Sequence, residues 1–76
     1  MVAEEDQGLL SALKALRLHL AKAQEVPAYV VFTDRTLIEM AEKRPTTLDA
    51  MAGIGGVGAK KLEAYGQEIL EVLRQS

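Results

Sequence analysis

Four of the chain's six glycines fall within residues 48–62, as Gly53, Gly55, Gly56 and Gly58. Glycine at that density is too flexible for a helix interior, so this stretch must be a tight connection. Its flanks, residues 47–52 and 59–72, read as helices. Gly56-Val57-Gly58 between two helices is the pattern of a helix-hairpin-helix turn. The glycines permit positive φ there, and Val57 serves as an apolar plug between the helices. Both Gly56 and Gly58 are expected at positions where a β-carbon is poorly tolerated. The second helix starts at about Gly58 or Ala59, so its first N–H groups lack intrahelical acceptors. With Lys60 and Lys61 in that first turn, it forms a candidate phosphate seat.

Around this turn the chain patterns as helices. Over residues 8–24, Leu9, Leu13, Leu16 and Leu20 form an apolar stripe, flanked by Ala12 and Ala23. Ser11, Lys14, Arg17 and Lys22 are placed on the opposite face, where Leu18 stands among them as an exposed leucine. His19 falls at the edge of the apolar face and is expected half-buried. Tyr29-Val30-Val31-Phe32 has strand propensity. With no second strand to pair with, residues 26–32 are read as a short helical turn or extended connector. Tyr29 is either a core aromatic or an exposed ring able to stack on a base.

Thr33 or Asp34 caps a helix running to about Lys43 and ending before Pro45. Its buried face is Leu37, Ile38 and Ala41, with Met40 at the margin. Thr46 and Asp49 suggest a capping box for the short helix that enters the hairpin. After the hairpin, Leu62, Tyr65, Ile69, Val72 and Leu73 recur at helical spacing, with Gly66 as a break that bends the helix. The expectation is an all-α fold, a compact bundle of about five helices with a helix-hairpin-helix-like turn, over residues 8–76. Residues 1–7 are read as an acidic disordered tail.

Composition excludes several functions. There is no cysteine and a single histidine, so neither a disulfide framework nor a thiolate metal site is expected. No apolar run is long enough to span a bilayer, and the acidic first residues are unlike a signal peptide, so a cytoplasmic location is expected. Asp34, Glu39 and Glu42 read as a solvated helix face, and no Ser/His/acid set is suggested. No catalysis and no cofactor are expected. Net charge is −2, but from residue 8 onward nine bases face eight acids, leaving +1. That near-neutrality is unlike a dedicated nucleic-acid binder.

The order of motifs resembles an HRDC domain (helicase and RNase D C-terminal). The resemblance is carried by Leu13, Leu16 and Arg17, by the run from Val26-Pro27 through Tyr29-Val30-Val31-Phe32 to Thr36-Leu37, and by Pro45. Gly56-Val57-Gly58-Ala59-Lys60-Lys61-Leu62-Glu63-Ala64-Tyr65-Gly66 with Ile69-Leu70 completes it. It covers nearly all of residues 10–73 and is nearer the RecQ helicase branch than the RNase D branch.

The resemblance implies an accessory domain of a larger DNA helicase, with ATP and Mg bound only by the parent motor. It implies engagement of single-stranded or branched DNA, at the nucleoid if the source is bacterial, through the first helix and the aromatic turn, here Lys14, Arg17 and Tyr29; the near-neutral charge makes that engagement weak. The hairpin adds Lys60 and Lys61. Basic members of the family place further cations beside these positions, where this chain has Ala15 and Leu18, and Gly53 and Gly55 precede its hairpin glycines. The alternative is therefore an interaction module that contacts other domains of the parent helicase or a partner protein through Leu18. A nucleic-acid module requires the bases to converge and Tyr29 to be exposed; an interaction module requires an acidic or apolar patch there instead.

Overall fold

The leucine-rich first third of the chain forms α1, Gln7–Gln24, in a computed structural model that describes residues 6–75. Leu9, Leu10, Leu13, Leu20 and Ala21 are buried, and Leu16 packs at the margin. The buried stripe is thus turned slightly from the expected one: Leu10 and Ala21 join it, while Ala12 and Ala23 stay exposed. Leu10, Leu13, Arg17 and Leu20 follow one another at three- and four-residue steps, which brings Arg17 to the core side. His19, expected half-buried, is exposed.

The helix ends in a left-handed Glu25 (φ 56°), with the Val26 N–H donating to the Ala21 carbonyl at 3.0 Å. That is a Schellman stop, and it turns the chain into Pro27. The single turn α2, Ala28–Val31, follows. Val31 and Phe32 point into the core, while Tyr29 and Val30 point out.

Thr33 caps α3, Asp34–Lys43, its hydroxyl oxygen accepting from the Thr36 N–H at 3.3 Å. Met40, expected at the margin, is fully buried with Leu37 and Ala41, whereas Ile38 is half-buried. Unbranched and flexible, methionine fills the space between packed helices. Left-handed Arg44 (φ 46°) stops the helix ahead of Pro45. Its guanidinium holds the Asp6 carboxylate, with Nη2 at 2.7 Å and Nε at 3.1 Å. Asp6 is therefore buried and Gln7 is helical, inside the stretch read as tail, whereas residues 1–5 lie outside the described residues.

The short α4, Leu48–Ala52, is capped one residue later than expected: Thr47, not Thr46, accepts from the Ala50 N–H at 3.1 Å. Asp49 sits in the first turn, where a carboxylate suits the helix dipole. The hairpin then leads into α5, Ala59–Arg74. Gly66 does not break this helix. It is buried, and the tip of Leu48 from α4 packs over it, with Cδ2 2.8 Å from where a β-carbon would stand. Leu70, absent from the expected apolar face, is buried beside Ile69 and Leu73.

Among the described residues the fold is thus five helices and no strand. Leu13, Val31, Phe32, Leu37, Met40, Met51, Ile69 and Leu70 form its dry centre, drawing on all five helices and on Phe32 after α2. Burying each contributes about 1.5–3 kcal/mol. No described helix is long and apolar enough to cross a membrane.

Candidate nucleic-acid interface

The hairpin is fixed from below by α3. The Thr36 hydroxyl, itself buried, donates to the Gly55 carbonyl at 2.8 Å. Glu39 accepts from the Gly55 backbone N–H and from Lys43 Nζ at 2.9 Å. The Lys43 hydrogen bond, helped by that from Gly55, holds the Glu39 carboxyl below its ordinary range. Gly56 has φ 88°, and a β-carbon on it would collide with Thr36 Oγ1. Val57 and Ile54 are buried beneath the turn. Gly58 differs from expectation: with φ −83° and ψ 171° it is an ordinary extended N-cap, with open space where a β-carbon would lie. Only one of the two hairpin glycines is conformationally required.

Directly after the turn, Lys60 is exposed, whereas Lys61 is half-buried and sets its ammonium 5.6 Å from the centre of the Phe32 ring. That is within cation–π range. Phe32 also meets Tyr65 edge-on at 5.7 Å, and the Tyr65 hydroxyl donates to Gln24 Oε1 at 2.8 Å. The start of α5 is thereby joined to the end of α1 and to α2. Lys61, and with it the hairpin, belongs to the same corner of the molecule as the aromatic turn.

Arg17 closes this corner from the other side. Its Nη1 donates to the Phe32 carbonyl at 3.1 Å and lies 2.6 Å from Asp34 Oδ1. Its side chain is only 13% exposed, and Nε is buried without a partner among the described residues. The placement of Arg17 on the solvated face is therefore corrected: the helical phase carries it to the core edge. Arg17 holds the Asp34 carboxyl below its ordinary pKa, first by hydrogen bond and then by charge, and Lys14 adds a smaller pull in the same direction. Lys14 itself is exposed beside this pair.

Tyr29 is 68% exposed, and its neighbour Val30 is 46% exposed. Leu18 is 50% exposed, as the sequence leads one to expect. These three are the large exposed apolar side chains among the described residues, and all lie on α1 and α2. An open groove of about 310 Å³ elsewhere, lined by residues including Thr47, Asp49 and Arg74, contains none of the interface residues. Among the described residues no three His, Asp or Glu side chains gather as a metal site.

The site is thus an aromatic turn held between two basic helix segments. It lies on a small all-helical module with a helix-hairpin-helix-like connection. The HRDC domain family model matches residues 6–73, and the chain belongs to that family. A solved structure, D. radiodurans RecQ HRDC domain 3, superposes with a TM-score of 0.89 at 40% identity, covering 92% of each chain. The ATP-dependent DNA helicase UvrD2 of Mycobacterium tuberculosis is 54% identical over 72 residues, which are 95% of this chain and 10% of that protein. The ATP-dependent DNA helicase RecQ of Pasteurella multocida is 42% identical over 74 residues, 97% of this chain and 12% of that protein. The chain therefore spans about a tenth of the length of the curated relatives it matches.

Proposed function

We propose that this chain is a non-catalytic accessory module of a larger ATP-dependent DNA helicase, of RecQ or UvrD2 type, that engages single-stranded or branched DNA weakly. ATP and Mg belong to the motor of the parent protein and have no role within this module. The observation that carries the reading is the exposed Tyr29 ring on a short turn that Val31 and Phe32, two and three residues further on, anchor in the core. A ring on a fixed platform stacks on a base at small entropic cost, and stacking tolerates any base. Lys14 and Lys60 offer exposed cations, and Lys61 a half-buried one, for the backbone.

Weak affinity follows from charge pairing. Arg17, Lys43 and Arg44 are each taken by an acid, namely Asp34, Glu39 and Asp6. A third of the chain's nine cations is thereby withheld from a strand, which reduces the counterions that binding can release. Such a module acts when tethered to a motor, where linkage supplies effective concentration.

A second reading is favoured by the exposure of Leu18 on α1 and of Tyr29 and Val30 on α2: apolar side chains that contact another domain of the parent helicase or a partner protein. Binding of a labelled single strand by the wild-type chain and by Tyr29→Ala decides between the two. The nucleic-acid reading expects Tyr29→Ala to lose about 1–3 kcal/mol, or roughly 5- to 150-fold in affinity. Equal binding by the two proteins at low salt rejects it.

A further inference from the structure

Arg17 is the cation that the family resemblance assigns to nucleic acid, yet its surroundings are those of a structural clamp. We infer that Arg17 is a positioning residue that fixes the aromatic turn presenting Tyr29, and does not itself contact phosphate. The inference rests on the nucleic-acid reading above for its binding arm alone.

Three observations carry it. The side chain is 13% exposed, so little of the guanidinium is available to a strand. One nitrogen, Nη1, bridges two groups on either side of the α2–α3 junction: the Phe32 carbonyl at 3.1 Å and Asp34 Oδ1 at 2.6 Å. A phosphate at this guanidinium would stand beside Asp34, a carboxylate already held in its charged form by Arg17, and be repelled by it. The third observation is the brevity of α2. Ala28–Val31 is a single turn, closed by a Phe32 N–H to Ala28 carbonyl bond of 3.4 Å. One turn cannot hold itself together in water, so its orientation depends on what grips its ends. Val31 and Phe32 grip through the core, and Arg17 grips the Phe32 carbonyl directly. Tyr29 lies three residues before that carbonyl, on the turn that the clamp sets.

A planar guanidinium suits this bridge, whereas the lysine ammonium sits one bond nearer the backbone and is a compact point charge. Lysine can, however, serve a phosphate. This separates a clamp from a phosphate contact.

The test compares wild type, Arg17→Gln, Arg17→Lys, Tyr29→Ala and Arg17→Gln/Tyr29→Ala. Each is titrated with single-stranded DNA over a series of salt concentrations. In parallel, the free proteins are labelled with 3-fluorotyrosine, and the Tyr29 signal is assigned by its loss in Tyr29→Ala. The clamp predicts that Arg17→Gln moves the Tyr29 fluorine resonance without DNA and weakens binding several-fold, with the salt slope unchanged. It adds no loss to Tyr29→Ala, and Arg17→Lys fails to restore affinity. A slope reduced by about 0.7, the share of one phosphate on a single strand, with losses additive to Tyr29→Ala, overturns it. So does full affinity in Arg17→Lys, which also decides the matter should Arg17→Gln unfold. If the wild-type chain binds no single strand, the nucleic-acid reading fails on its own, and the fluorine resonance judges the clamp: unchanged in both Arg17 variants, it refutes the clamp.

Discussion

Replacing Gly56 by alanine should destabilise the domain far more than the same change at Gly58, two residues away. At φ 88° an alanine at position 56 is forced into left-handed space, which costs roughly 1–2 kcal/mol for an L residue. Its methyl group would also overlap Thr36 Oγ1. That hydroxyl must then release the Gly55 carbonyl it binds at 2.8 Å, a loss of about 0.5–1.5 kcal/mol. Some overpacking beneath the turn brings the sum to roughly 2–4 kcal/mol. A domain of this size loses about 4–8 °C of midpoint per kcal/mol, so the midpoint should fall by roughly 8–32 °C.

At Gly58 neither term applies, since φ is −83° and nothing lies near a β-carbon. The stiffer unfolded chain stabilises by about 0.4–1 kcal/mol, and this offsets alanine's poorer N-capping. Gly58→Ala should therefore melt within a few degrees of wild type. Thermal melts followed by far-UV circular dichroism measure both, with Thr36→Ala as a background that removes the overlap and leaves only strain. Equal losses at the two glycines, or a Gly56→Ala midpoint within about 3 °C of wild type, would refute the account of the hairpin.

Glu25→Gly should raise stability by about 0.5–1 kcal/mol, because it relieves a left-handed non-glycine stop (φ 56°); a lower midpoint in urea denaturation contradicts this. Arg44→Gly should gain less or lose, since the equally left-handed Arg44 also carries the Asp6 pair. Stability should decline in acid. Asp34 has its pKa depressed by Arg17, so its contribution is complete above its unfolded value, near pH 4, and vanishes as pH falls through the lower folded value. Asp34→Asn should flatten the midpoint-versus-pH curve below about pH 4, and a curve identical to wild type there would show the pair to be inconsequential. Leu18→Lys should strengthen single-strand binding and steepen its salt slope by about 0.7. Leu18→Glu should keep the fold, and if it abolishes contact with the parent's other domains while sparing DNA binding, the interaction reading gains.

The helices, their order and the hairpin were legible because each is written in local chemistry: leucine spacing in α1, Thr33 before α3, and glycine density after α4. What was not legible depends on the helices' packing against one another. The sign of φ at Gly58 depends on how the hairpin meets α5, and no residue type reveals it. Arg17 reads as a surface cation on a helical wheel, because a shift of the buried stripe by less than one residue changes its side. An acid one residue beyond Phe32-Thr33 was the available signal, yet only the fold brings Asp34 against α1. Gly66 reads as a break from propensity alone, while in the fold it lies within a continuous α5 with the tip of Leu48 packed over it. Thr46 and Thr47 are adjacent candidate caps, and the sequence offers little to choose between them.

The central claim is that a few unpaired cations and one presented aromatic ring engage a single strand. The most direct measurement is the affinity of the chain for a labelled single strand across a salt series. With Arg17 held by Asp34, the remaining contacts are Lys14, Lys60 and Lys61. At about 0.7 per phosphate, three contacts give a log K against log salt slope near −2. The account predicts that slope for wild type and the same slope, at lower affinity, for Tyr29→Ala. Undetectable binding at low salt, or a slope that Lys60→Ala and Lys61→Ala leave unaltered, would contradict it.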